Sequence, residues 1–395
     1  MKTHRTLYLF TSTFPYGRAE TFLEDEIWYL SETFEEVIVV PFLSDNNITR
    51  KTPDNCRIEK PIVKSRFMQY FKGLLSPVSL AAFLKEFFNF KVYADIRRIK
   101  AWLVAYVLTN NLLSSKTIKE TFTNIHKEDV CYFYWGKGAN VLSYYYKDRA
   151  YFVSRFHGEW DLWEESCGGY APLRKQIANS LDAAVFISQR GKRYFEDRYD
   201  GCKTFFYPLG SLDKGVYTRQ KTSRLRIVSC STVYPLKRVP LIFDALKKIK
   251  GYNIEWTHIG GGVDLDNLKK DVVSLCPPNV HVNLLGEMSH DKVMDYYCKN
   301  QFDLFVNVST NEGVPVSIME AMSFDIPVVA TNVGGNSEVV TAESGILISA
   351  NPDVVEVADA IVRLYNRDCH PRSFWEEHYS AEVNYTRFAD FLKTM

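Results

Sequence analysis

The stretch NEGVPVSIMEAMSFDIPVVATNVGGNSE, residues 311–338, carries two acids eight positions apart. Glu312 falls in a turn with Gly313, Val314 and Pro315, and Glu320 in the helix expected to follow. The preceding strand, DLFVNV, is expected to end at about Val308. Pro315 suits the first turn of a helix, where its missing N–H costs nothing. The N–H groups of Val316, Ser317 and Ile318 would then point out of the helix N-terminus, where unpaired donors and the dipole attract an anion. Gly313 lets backbone come close to a ligand with no Cβ in the way. A pyrophosphate suits this position. A carboxylate beside a phosphate is repelled, so the acids need other partners, and paired hydroxyls are good ones for a carboxylate. Two hydroxyl-bearing rings on either side of a pyrophosphate describe a nucleotide sugar. Taken alone, either acid reads better as a solvated surface residue; the whole stretch carries the reading.

The elements around it alternate between strand-like and helix-like segments, which argues for parallel sheets with helices on both faces. In the first half RTLYLFT (5–11), EVIVVPF (36–42), DVCYFYW (129–135), YFVSRF (151–156) and DAAVFIS (182–188) read as strands. AETFLEDEIWYLSETF (19–34) reads as the first helix, and YPLGSLDKGVY (207–217) as a linker. Beyond it LRIVSCS, IEWTHIG, NVHVNLLG, DLFVNV and PVVAT repeat the strand rhythm. That describes two doubly wound α/β domains, and in such sheets ligands sit beyond the carboxyl ends of the strands.

One region departs from the rhythm. Residues 61–123 are expected to be helical and are rich in aromatic and basic side chains. One reading is a membrane-surface patch, with Lys72, Lys85, Lys91, Arg97 and Arg98 near headgroups. The preferred one is a helical insertion packed on the first domain, because globular helices commonly have this composition.

At 395 residues the chain is too long for one typical core. Its 48 basic and 47 acidic side chains give no bulk reason to expect a nucleic-acid or acidic partner. MKTHRTLYLF runs into polar TSTFPYGR, so no signal peptide is expected. The apolar run AWLVAYVL (101–108) is far shorter than a membrane span. Eight scattered cysteines without a Cys-x-x-Cys pair read as reduced thiols, which points to the cytoplasm. No His-Glu-x-x-His pattern suggests a zinc site. Asp264 and Asp266 form an Asp-x-Asp, but they open a helix, where capping and the dipole favour acids. Gly260, Gly261 and Gly262 before them do not make a dinucleotide fingerprint and are expected to form a tight strand-to-helix turn. No metal and no cofactor are expected.

EGVPVSIMEA followed by PVVATNVGG resembles the signature of the retaining glycosyltransferases of family 4, with its Glu-x7-Glu motif. TSTFPYGRAETFLEDEI, RFHGEWDLW, FFYPLG and SCSTVYPLKRVPLIFDAL are similar to further motifs of the polysaccharide-building branch, in the expected order. The resemblance implies the GT-B fold, two Rossmann-like domains facing each other across a cleft. It places the first domain at 1–212, the second at 213–375, and a C-terminal helix over 376–395 returning to the first. It implies that Glu312 holds hydroxyls of the donor sugar and Glu320 the ribose. Lys237, helped by Arg238, would bind the diphosphate, and Met288 would meet the base through its backbone. Gly17 would let the first-domain loop close over the phosphates, and His157 would sit beside the reacting sugar. A lone histidine is more often structural, but the flanking RF and GEW at a strand end favour this role for His157. Family members usually carry an arginine some five residues before the lysine, where this chain has Ser231 and Thr232. Either Arg238 supplies that charge or the diphosphate is held more weakly. Glu20 is either an acceptor contact or an acid in the first turn of a helix.

The expected function is transfer of a sugar, with retention and without a metal, from a nucleoside diphosphate to a glycan or lipid-linked acceptor of bacterial surface polysaccharide. A UDP-sugar is favoured over a GDP-sugar, in the cytoplasm and with membrane contact at most peripheral. An inactive nucleotide-sugar-binding regulator and a sugar-nucleotide epimerase of the same build are the alternatives.

Overall fold

The computed structural model describes residues 3–17, 20–44, 50–63, 73–215 and 222–395. The chain divides into two compact units, Met1–Pro208 with Tyr385–Met395, and Leu209–Asn384. In the first, seven parallel strands run β1 (Thr3–Thr11), β2 (Phe34–Pro41), β3 (Cys56–Ile58), β4 (Val130–Phe133), β5 (Tyr151–Phe156), β6 (Ala183–Phe186) and β7 (Lys203–Phe206) along the chain. Their order in the sheet is β3-β2-β1-β4-β5-β6-β7. The second unit holds β8 (Arg224–Cys230), β9 (Asn253–Ile259), β10 (Val280–Gly286), β11 (Leu304–Asn307), β12 (Val328–Thr331) and β13 (Gly345–Ile348). These are parallel and ordered β10-β9-β8-β11-β12-β13.

Both sheets therefore reverse direction once, between β1 and β4 and between β8 and β11. The reversal splays two neighbouring loops apart and leaves a crevice beyond the strand ends. The central strands are buried on both faces, so VCYF of β4, LFVN of β11 and VVAT of β12 are almost wholly out of water. Three strands were not expected: β3, β7 and β13, all at sheet edges and three or four residues long.

The first unit carries a buried ion pair. Arg155 Nη1 lies 2.6 Å from Glu26 Oε2, with both side chains fully out of water. Tyr132 Oη donates to Glu26 at 3.0 Å, and Arg155 Nη2 donates to the Tyr207 carbonyl at 3.2 Å. The guanidinium lies 4.5 Å from the ring centre of Phe388, on the helix Ala381–Thr394. The chain terminus is thereby anchored into this unit's core. Removing one partner of such a pair costs about 3–5 kcal/mol.

Of the expected helical region, residues 61–63 are not helical, and Val63 bridges to Leu43 instead. Residues 64–72, Lys72 included, lie outside the described residues, as do Arg18 and Ala19 of the loop after β1 and the linker positions 216 and 217. Helices Leu80–Asn89, Ile96–Ser114 and Lys116–Asn124 contribute Phe83, Tyr106, Val107, Leu112, Ile118 and Phe122 to the unit's core. The first helix starts at Leu23, four residues later than expected.

Candidate active site

In the second unit the loops leaving β8 and β11, at the sheet reversal, bring two of the expected residues together, Lys237 and Glu312. Lys237 ends a short 3-10 turn after β8, and Glu312 sits in the turn after β11. Lys237 Nζ lies 2.6 Å from Glu312 Oε1. The same oxygen accepts from Ser309 Oγ at 2.6 Å and from Asn307 Nδ2 at 3.1 Å. Three donors thus converge on one carboxylate oxygen, and among the described residues Oε2 takes none. The side chain is only 6% exposed, so Oε2 is an acceptor aimed from a largely dry wall. Ser309 and Asn307 were not expected to take part; the only sequence sign was their place at the end of the strand before Glu312.

The turn's shape comes from backbone packing. Gly334, at φ +53°, lies so close that an added Cβ would stand 1.7 Å from the Glu312 carbonyl oxygen. The neighbouring Gly335 N–H donates to the Gly313 carbonyl at 2.8 Å. The loop after β12 is therefore the floor under the Glu312 turn, and only a residue without Cβ fits there.

Pro315 is the N-cap of the helix Val316–Ser323, one position earlier than expected. Ile318 N–H is not free: it donates to the Pro315 carbonyl at 3.1 Å. Val316 and Ser317 have no backbone acceptor among the described residues, so two N–H groups remain at the helix end. Val314 is buried beside them and Gly313 is half-buried. Further along, Glu320 Oε1 lies 2.9 Å from His290 Nε2. Nearby, burial first and then the Glu320 charge push the Cys230 thiol up to about 12. That thiol is a neutral neighbour. Met288 is half-buried in the loop between β10 and the helix His290–Lys299.

Arg238 points elsewhere. At φ +49°, it donates from Nε to the Val308 carbonyl at 2.6 Å and from Nη2 to the carbonyls of Ser309 at 3.0 Å and Ala350 at 2.9 Å. Nη1 reaches Asn351 Oδ1 at 3.4 Å. One N–H of the guanidinium's five is left over. Burial lowers its pKa, though an arginine stays charged. The Gly260–Gly262 segment is the expected tight turn. Gly260 and Gly262 have φ +147°, and an added Cβ would stand 1.8 Å from the Ser231 carbonyl oxygen or 2.3 Å from that of Val233. Asp264 precedes the helix Leu265–Leu275, and Asp266 pairs with Lys269 at 3.2 Å in its first turn.

In the first unit, the loops at the sheet reversal are tied by Glu20. Its carboxylate accepts the N–H groups of Ser12 at 2.7 Å, Thr13 at 2.8 Å and Phe14 at 2.7 Å, and Trp135 Nε1 at 2.7 Å. Glu20 lies before the first helix, so it is not an acid of that helix's first turn; it clamps the loop after β1 to the loop after β4. Gly17 lies in the same clamped loop, at φ +66°. Trp135 packs on the ring of His157, 4.5 Å between centres, with Tyr134 at 4.7 Å. His157 directly follows β5, and its N–H donates to the Asp161 carboxylate at 3.0 Å. Asp161 also takes the Gly136 N–H at 3.0 Å. Both ring nitrogens of His157 are buried and have no hydrogen-bond partner among the described residues, Nδ1 standing 3.6 Å from Asp161 Oδ2. Nothing in the sequence marks Asp161, four positions after His157, as its partner.

Residues 218–380 match the family described as Glycosyl transferases group 1. An O-antigen biosynthesis glycosyltransferase of Escherichia coli, WbnH, is 33% identical over 117 residues, 30% of this chain and 31% of that protein. The chain thus matches under a third of that relative's length. Among solved structures, a sucrose-phosphate synthase from Thermosynechococcus elongatus aligns over 99% of both chains with TM-score 0.70 at 14% identity. Anabaena HepE, solved with UDP, aligns over 99% of this chain and 100% of that one with TM-score 0.65 at 16% identity. At such identities the likeness is one of fold. The two Rossmann-like units, of seven and six strands, are those of the GT-B glycosyltransferases.

Proposed function

We propose that the chain is a glycosyltransferase of the retaining family 4 type, moving a sugar from a nucleoside diphosphate to a glycan or lipid-linked glycan of bacterial surface polysaccharide. The observation that carries the reading is the Lys237–Glu312 pair at the reversal of the second sheet, with the N–H groups of Val316 and Ser317 four and five positions after Glu312 in the chain. The match of this segment to group 1 transferases supports it, as does the name of the O-antigen relative.

On this reading Glu312 Oε2 takes hydroxyls of the transferred sugar, and Glu320 takes the ribose. Met288 meets the base through its backbone, and Gly17 borders the phosphates. As the bond between the anomeric carbon and the phosphate oxygen breaks, negative charge grows on the leaving diphosphate. Lys237 and the helix end offset that charge as it develops, the role a divalent ion plays in other transferases. Arg238 serves mainly as a positioning residue, holding the Lys237 loop to the carbonyls of Val308 and Ser309. His157, held by Asp161, stands beside the reacting sugar. No protein base is assigned to the acceptor; the departing phosphate takes its proton, on the same face as attack, which retains the anomeric configuration.

The test is a panel of UDP- and GDP-sugars read by thermal shift, followed by nuclear magnetic resonance of the product formed in EDTA. At least one donor, a UDP-sugar first, should stabilise the protein, and its sugar should be transferred with retention. An inverted product, or activity lost in EDTA and restored by magnesium, would overturn the mechanism.

A further inference from the structure

Among the described residues, eighteen large hydrophobic side chains are exposed, and eleven of them lie between Leu74 and Val104 in the first unit. They are not scattered. On the helix Leu80–Asn89, Leu80, Leu84 and Phe88 recur every fourth position and face water, while Phe83 is buried. On the helix Ile96–Ser114, Ile96, Leu103 and Val104 are exposed at helical spacing, with Phe90 and Tyr93 exposed in the connection. An amphipathic helix ordinarily buries such a stripe. Here the buried positions are already served by a second apolar set: Phe83 and Phe87 pack on Trp102 at 5.7 Å and 5.4 Å.

The charges of this segment are one-sided. Lys85, Lys91 and Lys100 are exposed and take part in no ion pair among the described residues. The segment's two acids are both occupied: Glu86 is buried and accepts from Tyr170 and Gln176, and Asp95 is paired with Arg97 at 2.7 Å. Val104 belongs both to the exposed face and to the wall of a cavity lined also by Phe83, Ala105, Leu108, Trp163 and Leu173. No helix among the described residues is long and apolar enough to cross a membrane.

We propose that the helix pair from Leu74 to Val104 is a docking face for an anionic lipid bilayer. The apolar stripes enter the headgroup boundary, the three lysines meet the lipid charge, and the cavity beside Val104 receives the end of an acyl chain. Exposed apolar side chains flanked by unpaired lysines are the chemistry such a surface attracts. The inference does not depend on the proposed reaction.

The experiment is co-sedimentation of the full chain with vesicles of mixed phosphatidylcholine and phosphatidylglycerol, beside pure phosphatidylcholine. Binding is expected to the anionic vesicles and to weaken with salt. Each lysine lost should weaken it roughly fivefold, so Lys85→Glu with Lys91→Glu should lose at least that much. Leu84→Ser with Phe88→Ser, at exposed positions, should keep the native circular dichroism and lose binding even at low salt. Failure of the unaltered chain to bind anionic vesicles would overturn the proposal, as would undiminished binding by both variants. So would sedimentation velocity showing a dimer in the absence of lipid that Leu84→Ser with Phe88→Ser dissolves, because a second copy would then cover the face.

Discussion

Lys237 and Arg238 are adjacent cations with opposite employment. The lysine reaches across to a buried carboxylate, and the arginine directs its donors to carbonyls seventy or more positions away in sequence. Removing the lysine leaves Glu312 Oε1 with two donors, Ser309 and Asn307, and because Lys237 is 19% exposed water can take its place, so the cost to the fold is well below that of the fully buried Arg155–Glu26 pair. Lys237→Ala should therefore cut turnover by roughly 10², the scale for losing one preorganised donor to a developing oxyanion, while the melting temperature barely moves. Steady-state kinetics beside calorimetric melting checks both halves; an active variant would take the lysine out of the mechanism. At this scale the sequence discloses residue types and little about partners. The placement of Glu312 before a helix and of Glu320 within it was legible, because the Gly/Pro turn and the apolar pattern after it mark the helix start. The clamp formed by Glu20 was not, since its indole donor comes from Trp135, far along the chain. Nor was the fate of Ile318 N–H, which depends on how the first turn closes on Pro315.

The strands not expected from the sequence, β3, β7 and β13, are edge strands with one neighbour each among the described residues. An edge strand buries less side chain, so it needs no long β-branched run to mark it. Central strands must be apolar on both faces and are easily read. Elements also set the site through backbone contact. Gly334→Ala would drive a Cβ into the Glu312 carbonyl at a left-handed position, where strain costs about 1–3 kcal/mol. It should lower unfolding stability by about that much and weaken donor binding as the Glu312 turn shifts; donor affinity equal to that of the unaltered chain would show that the turn is not supported from below. A second element-scale test lies on β9. His258 is fully buried, Ser229 Oγ accepts from Trp256 Nε1 at 2.9 Å, and it lies 2.8 Å from His258 Nδ1. Burial lowers the imidazole from 6.5 to about 4. The unfolded chain then binds a proton that the folded chain refuses, so stability falls as pH drops from about 6.5 towards 4, by up to about 3 kcal/mol. Urea unfolding across that window should show the slope, and His258→Asn should flatten it; an equal slope in both would assign the effect to other groups.

Over the whole molecule, 48 basic and 47 acidic side chains nearly cancel, so no net field draws an anionic donor to the protein. On the proposed reading donor recognition comes from local groups, and the second unit holds Lys237, Glu312, Glu320 and the helix end. Both doubly wound units were legible in the chain's alternating rhythm, because each repeats the same strand-helix unit; the assignment of one acid to each ring of the donor rests on the resemblance and on the Glu312 oxygen that takes no donor among the described residues. The direct measurement is calorimetry of nucleoside diphosphate binding to Glu312→Gln and Glu320→Gln, beside a transfer assay on both. A hydrogen bond to a charged acceptor contributes about 1.5–3 kcal/mol, so losing one should weaken binding by roughly tenfold or more. Glu320→Gln should lose that much for the bare nucleotide, because the ribose is present in donor and product alike. Glu312→Gln should bind the nucleotide as the unaltered chain does yet transfer sugar poorly. Equal weakening of the bare nucleotide by both substitutions would contradict the account and make the two acids supports of the loop.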